Sequence, residues 1–156
     1  MAENPSTSSK RKTTLVIAPL ALLEQWKSEM LKFVNKKWRI HIYHGKGAKM
    51  SVATMKQYDV IITTFGQIIG ALPGSTGSRK KKTESWISSD EEDDGTQRKG
   101  DLLLMNWYRV CVDEAAQIRN HKTKGARAIF QLHSTYRWIL SGTFSKLNSI
   151  FAASRY

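Results

Sequence analysis

Four short stretches of the chain are apolar almost without alternation. They are residues 14–19 (TLVIAP), 59–65 (DVIITTF), 109–114 (RVCVDE) and 137–143 (RWILSGT). Strands buried on both faces have this pattern, and such strands belong to parallel sheets. A fifth stretch, residues 39–45 (RIHIYHG), alternates more and is expected nearer a sheet edge. Helical spacing appears between the runs. In LLEQWKSEMLKFV it sets Leu22, Leu23, Trp26, Met30, Phe33 and Val34 on one face, and in TKGARAIFQL it does the same for Ala126, Ile129 and Phe130. Strands alternating with helices indicate an α/β layered fold with right-handed crossovers.

Residues 73–100 (PGSTGSRKKKTESWISSDEEDDGTQRKG) break the pattern. They are polar, rich in Gly and Ser, and split into a basic and an acidic block. Such a segment buries too little apolar surface to offset its ordering entropy, so it reads as a disordered insertion between two strands. Within it, SRKKK (residues 78–82) suits a nuclear localisation patch and equally a solvated loop. Ser88 and Ser89, ahead of DEEDD, are candidate phosphorylation sites.

Composition narrows the classes. A length of 156 residues fits about one domain. No apolar run approaches the roughly 18 residues of a membrane span, and MAENPSTSSKRK lacks the apolar stretch of a secretory signal. The single cysteine, Cys111, allows no internal disulfide or cysteine zinc cluster and reads as a small buried hydrophobe. His41, His44, His121 and His133 show no metal-ligand spacing. Trp26 and Trp38 read as packing residues, and Trp107 as an anchor for the approach to the third buried strand. The net charge of +12 is concentrated outside the insertion: residues 1–60 carry 11 Lys/Arg against 4 acids, and residues 101–156 carry 8 against 3. A basic surface of this kind suits a polyanion such as nucleic acid.

Each buried run ends in small or polar residues: Pro19, Thr63-Thr64, Asp113-Glu114 and Ser141-Gly142-Thr143. Ligands of open parallel sheets bind outside the carboxyl ends of the strands, so these ends form a candidate site. Two adjacent acids there are costly if buried unpaired. A divalent cation would offset that cost, as at the Mg²⁺ sites of P-loop hydrolases. A helix N-cap would also explain the pair, since Asp caps and Glu favours the first turn. The pair alone leaves both readings open.

The surrounding residues resemble the Swi/Snf-type family of helicase-like ATPases. TLVIAPLALLEQWKSEM resembles the family's motif Ia, with Pro19 and Trp26 in place. RIHIYHG resembles its next strand, YDVIITTF its motif Ib, WYRVCVDEAAQIRN its motif II with flanks, and RWILSGT its motif III. The forms LALLEQW and DEA-x-x-IRN are most similar to the subgroup that pairs the motor with a RING ubiquitin ligase module. The resemblance implies an α/β RecA-like lobe, the first of two, with a mostly parallel sheet flanked by helices and incomplete at both ends. The lobe is expected over residues 13–143 with its insertion, preceded by a disordered N-terminus over 1–12 and followed by a divergent tail over 144–156.

The resemblance also implies roles. Asp113 would hold Mg²⁺, and Glu114 would activate the hydrolytic water. Ser141, Gly142 and Thr143 would lie on the ATP side, with Ser141 and Thr143 coupling nucleotide state to DNA. Pro19, Thr63 and Thr64 would lie near the phosphodiester backbone of double-stranded DNA. Nucleosomes, a nuclear location, no membrane and a second RecA-like lobe follow as further expectations. Departures qualify the picture. The sequence contains no G-x-x-x-x-G-K-[ST], since GKGAKMS (residues 45–51) lacks the spacing and follows a different strand. Ala116 stands where the family usually has His or another polar residue. The family's Pro and Gln-Asn pair after motif III are replaced by FSKLNSIFAASRY. The chain alone is therefore expected to be inactive as an ATPase. It reads as a fragment of an ATP-dependent DNA translocase, from a partial gene model or a degenerate copy. The alternative is a non-catalytic DNA- or chromatin-binding module or a degenerate pseudo-ATPase.

Overall fold

The structure is a computed structural model. It describes residues 12–34, 37–48, 50–74, 100–114, 120 and 122–140. Five strands form one parallel sheet: β1 (Thr14–Ile17), β2 (Ile40–Tyr43), β3 (Val60–Thr63), β4 (Asn106–Asp113) and β5 (His133–Leu140), in the order β2-β3-β1-β4-β5. Among the described residues five α-helices connect them: α1 (Leu23–Phe33), α2 (Val52–Met55), α3 (Phe65–Gly70), α4 (Asp101–Leu104) and α5 (Lys124–Phe130). The α/β sandwich expected from the alternation is what the chain forms, and the alternating RIHIYHG run does supply an edge strand.

The two sheet faces bury different partners. On one, Leu15, Ile17, Ile61, Val110 and Val112 pack with residues of the four shorter helices, among them Met55, Ile68, Leu103 and Ile129. On the other, Val16, Ala18, Val60, Ile62 and Cys111 pack with Leu23, Trp26 and Met30 of α1. Alternation along β1 sends neighbouring side chains to opposite faces, which is why both faces of a strand without polar breaks are covered.

Several expectations are corrected. Phe33 is 84% exposed. It is the last residue of α1, on the same helix face as Trp26 seven positions before it, but at the helix end that the packed residues Leu23, Trp26 and Met30 do not reach. Trp38 is 47% exposed and not a packing residue. β5 begins at His133, not at Arg137, and is an edge strand on which Tyr136, Trp138 and Leu140 are all exposed. Among the described residues no strand pairs with its outer side, so its apolar composition is not matched by burial.

The insertion is closed at its neck, where the Gly100 amide donates to the Ala71 carbonyl at 2.9 Å. A Cβ at Gly100 would lie 2.8 Å from the Ala71 Cβ, so the close approach needs glycine. The expected disorder of the insertion concerns residues that lie, from 75 to 99, outside the described ones. Because the neck pairs without it, deleting residues 75–96 should change stability by less than about 1 kcal/mol, since closure entropy varies slowly with loop length. Urea denaturation followed by circular dichroism checks this, and a loss of several kcal/mol would mean the segment is packed.

Candidate functional site

The parallel register brings the strand ends to one rim. Ile17 lies beside Thr63 and Val112, and Asp113 beside Leu140. Pro19, Thr64, Asp113 and Glu114 follow directly, so the strand-end residues expected to form a site do share one edge of the sheet. Ser141, Gly142 and Thr143 lie outside the described residues, as does Ala116.

Asp113 is the last residue of β4 and is half-buried. Both its oxygens are held. Oδ1 accepts from the Glu114 amide at 2.8 Å, and Oδ2 accepts from Trp26 Nε1–H on α1 at 2.9 Å. Trp26 was expected to pack, and it does, but it also donates a hydrogen bond to this strand-end carboxylate. Beside this carboxylate is a pocket of about 300 Å³ lined by Leu22, Gln25, Trp26, Glu29 and Asp113. Glu114 is exposed and turns the backbone at φ 51°, a left-handed conformation uncommon for a non-glycine residue. The amide bonded to Asp113 belongs to the very next residue. An N-cap side chain instead accepts from an amide two or three positions on, as Thr123 does from Ala126.

Whether this carboxylate suits Mg²⁺ turns on its free lone pairs. An ionised carboxylate has about four acceptor positions, and the two hydrogen bonds leave others open. Mg²⁺ is commonly held by one or two carboxylates together with substrate phosphates and water. Asp113 fits that use. Among the described residues no group of three or more His, Cys, Asp or Glu is placed to hold a metal.

The residues expected on the DNA side differ in access. Thr63 is fully buried, and its hydroxyl donates to the Tyr43 carbonyl at 2.9 Å, tying β3 to β2. A side chain with no exposed surface cannot touch a phosphodiester. Thr64 is 9% exposed and caps α3 through its bond from the Gln67 amide. Pro19 is half-buried and opens the exposed Leu20–Leu22 turn that leads into α1. Cys111 sits on the α1 side of the sheet, where burial, and then the Asp113 carboxylate, push its thiol up, with Arg109 pulling the other way. A buried thiol so protonated is a poor nucleophile, in keeping with a packing role.

Sequence reasoning missed Arg137. Its guanidinium donates to the Ile129 carbonyl at 3.0 Å and also to the Leu132 carbonyl, closing the end of α5 onto β5. A basic residue opening an apolar run gave no sign of that role.

Comparison with known proteins places these features. A family model described as the SNF2-related domain matches residues 1–146. The chain is 35% identical over 149 residues to an uncharacterised ATP-dependent helicase of Schizosaccharomyces pombe, covering 92% of this chain and 14% of that protein. It is 30% identical over 153 residues to the DNA repair protein rad5 of Emericella nidulans, covering 92% of this chain and 12% of that protein. The chain thus spans only a small part of the length of these relatives. Among solved structures, the SWI2/SNF2 ATPase core of Sulfolobus solfataricus in complex with double-stranded DNA is similar, with a TM-score of 0.62 and 25% identity. That likeness covers 94% of this chain and 24% of the core.

Proposed function

The chain belongs to the SNF2-related domain family, and from that premise we propose that it is the motif Ia to motif III segment of a first RecA-like lobe in an ATP-dependent translocase on double-stranded DNA. The observation that carries this reading is the Asp113 carboxylate, oriented at the sheet's C-terminal rim by Trp26 and the Glu114 amide with acceptor positions to spare. In this reading Asp113 holds the Mg²⁺ of a bound nucleotide. A cation held there would supply positive charge to the transferred phosphoryl group. Glu114, exposed on its left-handed turn, orients and deprotonates the attacking water. Ser141, Gly142 and Thr143 serve the same nucleotide side. The Pro19 turn meets the phosphodiester backbone, with Thr64 beside it and Thr63 holding the strand end from within. The similarity to a DNA repair protein supports a repair or chromatin role, a nuclear location and nucleosomes as a further partner. The RING-bearing subgroup is proposed on the LALLEQW and DEA-x-x-IRN forms together with that similarity.

A second reading, a non-catalytic DNA- or chromatin-binding module on the same lobe, is favoured by the net charge of +12. Two measurements on this chain separate what it does alone from what the longer motor does. With no phosphate-cradling G-x-x-x-x-G-K-[ST] in its sequence, it should bind ATP no tighter than about millimolar, or roughly 4 kcal/mol. Tight stoichiometric binding by calorimetry would contradict this. The chain should bind duplex DNA weakly and without sequence preference, with log affinity falling against log salt at about −0.9 per phosphate neutralised. Asp113→Asn with Glu114→Gln should leave that affinity almost unchanged, because both acids serve the nucleotide side. Salt-insensitive or sequence-selective binding in a fluorescence titration would count against the proposed surface.

A further inference from the structure

One side-chain contact at the rim joins elements far apart in the chain. Trp26 Nε1–H on α1 donates to Asp113 Oδ2 across 87 positions of sequence. Packing does not require an indole there. Trp26 sits with Leu23 and Met30 against Val16, Ala18 and Ile62, a setting that a phenyl ring would also fill. What the indole adds is a donor aimed at a carboxylate. The Glu114 amide donates to the other oxygen, Oδ1. One donor on each oxygen fixes the rotation of the carboxylate plane and directs the remaining lone pairs away from α1 and the Glu114 amide.

From this geometry we infer that Trp26 is the positioning residue of Asp113, and that it ties the carboxylate through α1 to the Pro19 turn. The inference rests on the proposed cation-holding role of Asp113 and adds a partner to it. The Leu20–Leu22 turn runs directly into α1, so the rim segment proposed to meet DNA and the indole that orients Asp113 are carried by consecutive elements.

The test uses the full chain, labelled with ¹⁵N, and Mn²⁺ as the probe. The indole N–H signal of Trp26 is identified among those of the five tryptophans by its loss in Trp26→Phe. It should be protected from solvent exchange and should lose that protection in Asp113→Ala. Added Mn²⁺ should broaden the Glu114 amide signal. In Trp26→Phe the Mn²⁺ concentration for half-broadening should rise about 10–100-fold, the usual effect of removing a partner that orients a metal ligand. Broadening with an unchanged midpoint in Trp26→Phe would overturn the positioning role and leave the metal role of Asp113 standing. No broadening in the unsubstituted chain would overturn both. Unchanged indole exchange in Asp113→Ala would overturn the hydrogen bond itself, even if Trp26→Phe did not fold.

Discussion

Replacing Trp107 with alanine should destabilise the fold by about 3–5 kcal/mol, the usual range for truncating a buried aromatic. Trp107 is 1% exposed and is among the largest fully buried side chains. It packs within the larger of the two hydrophobic clusters, and its Nε1–H donates to the Leu102 carbonyl at 3.0 Å, fastening α4 to the start of β4. Truncation removes both contributions. It leaves a cavity that the sheet cannot close, and it strands a buried carbonyl, which costs about 1–3 kcal/mol when unsatisfied. A single domain has roughly 5–15 kcal/mol of stability, so the loss is a large fraction of the whole. Trp107→Phe keeps most of the volume and should lose mainly the hydrogen bond. Trp38→Ala, at a position 47% exposed, should stay within about 0.5 kcal/mol. Urea denaturation of the three variants by circular dichroism separates these cases. A small effect of Trp107→Ala would show that α4 and β4 do not depend on this contact.

How far the sequence reaches depends on whether a residue's neighbours are implied by its own pattern. Leu15 to Ile17, Val60 to Ile62 and Val110 to Val112 have no polar break, and only strands covered on both faces tolerate that, so the centre of the sheet was legible. The alternation at Ile40–Tyr43 marked an edge for the same reason. β5 was not legible, because Trp138 and Leu140 are as apolar as central-strand residues and nothing local says that, among the described residues, no strand lies beyond them. At the site, Asp113 stood out as a strand-end acid, and the parallel register was enough to gather the rim. Its orienting partner did not stand out. A tryptophan at helical spacing reads as packing, and the hydrogen bond that gives Trp26 a second role forms only when α1 lies over the end of β4. Thr63 shows the converse. A polar residue at a strand end suggests a ligand contact, but its hydroxyl is already taken by the Tyr43 carbonyl of the neighbouring strand.

The largest functional effect is expected at the two acids. With this segment in a longer chain that carries the P-loop and second lobe, Asp113→Asn with Glu114→Gln should lower DNA-stimulated ATP hydrolysis by at least about 10²–10³, or roughly 2.7–4 kcal/mol in the barrier, the effect of losing one preorganised electrostatic element. The substitutions are nearly isosteric. The carboxamide that replaces the Asp113 carboxylate keeps one acceptor oxygen for Trp26 or for the following backbone amide, so the fold and the rim should survive. What would disappear, on the proposed reading, is the charge that holds the cation and the carboxylate that takes the water's proton. The decisive experiment is therefore steady-state ATP hydrolysis by that longer protein, with saturating duplex DNA, before and after the double substitution. Near-complete loss of hydrolysis with DNA affinity unchanged is the expected result. Full retention of hydrolysis would mean that Asp113 and Glu114 are structural residues at a strand end, and that the nucleotide site lies elsewhere.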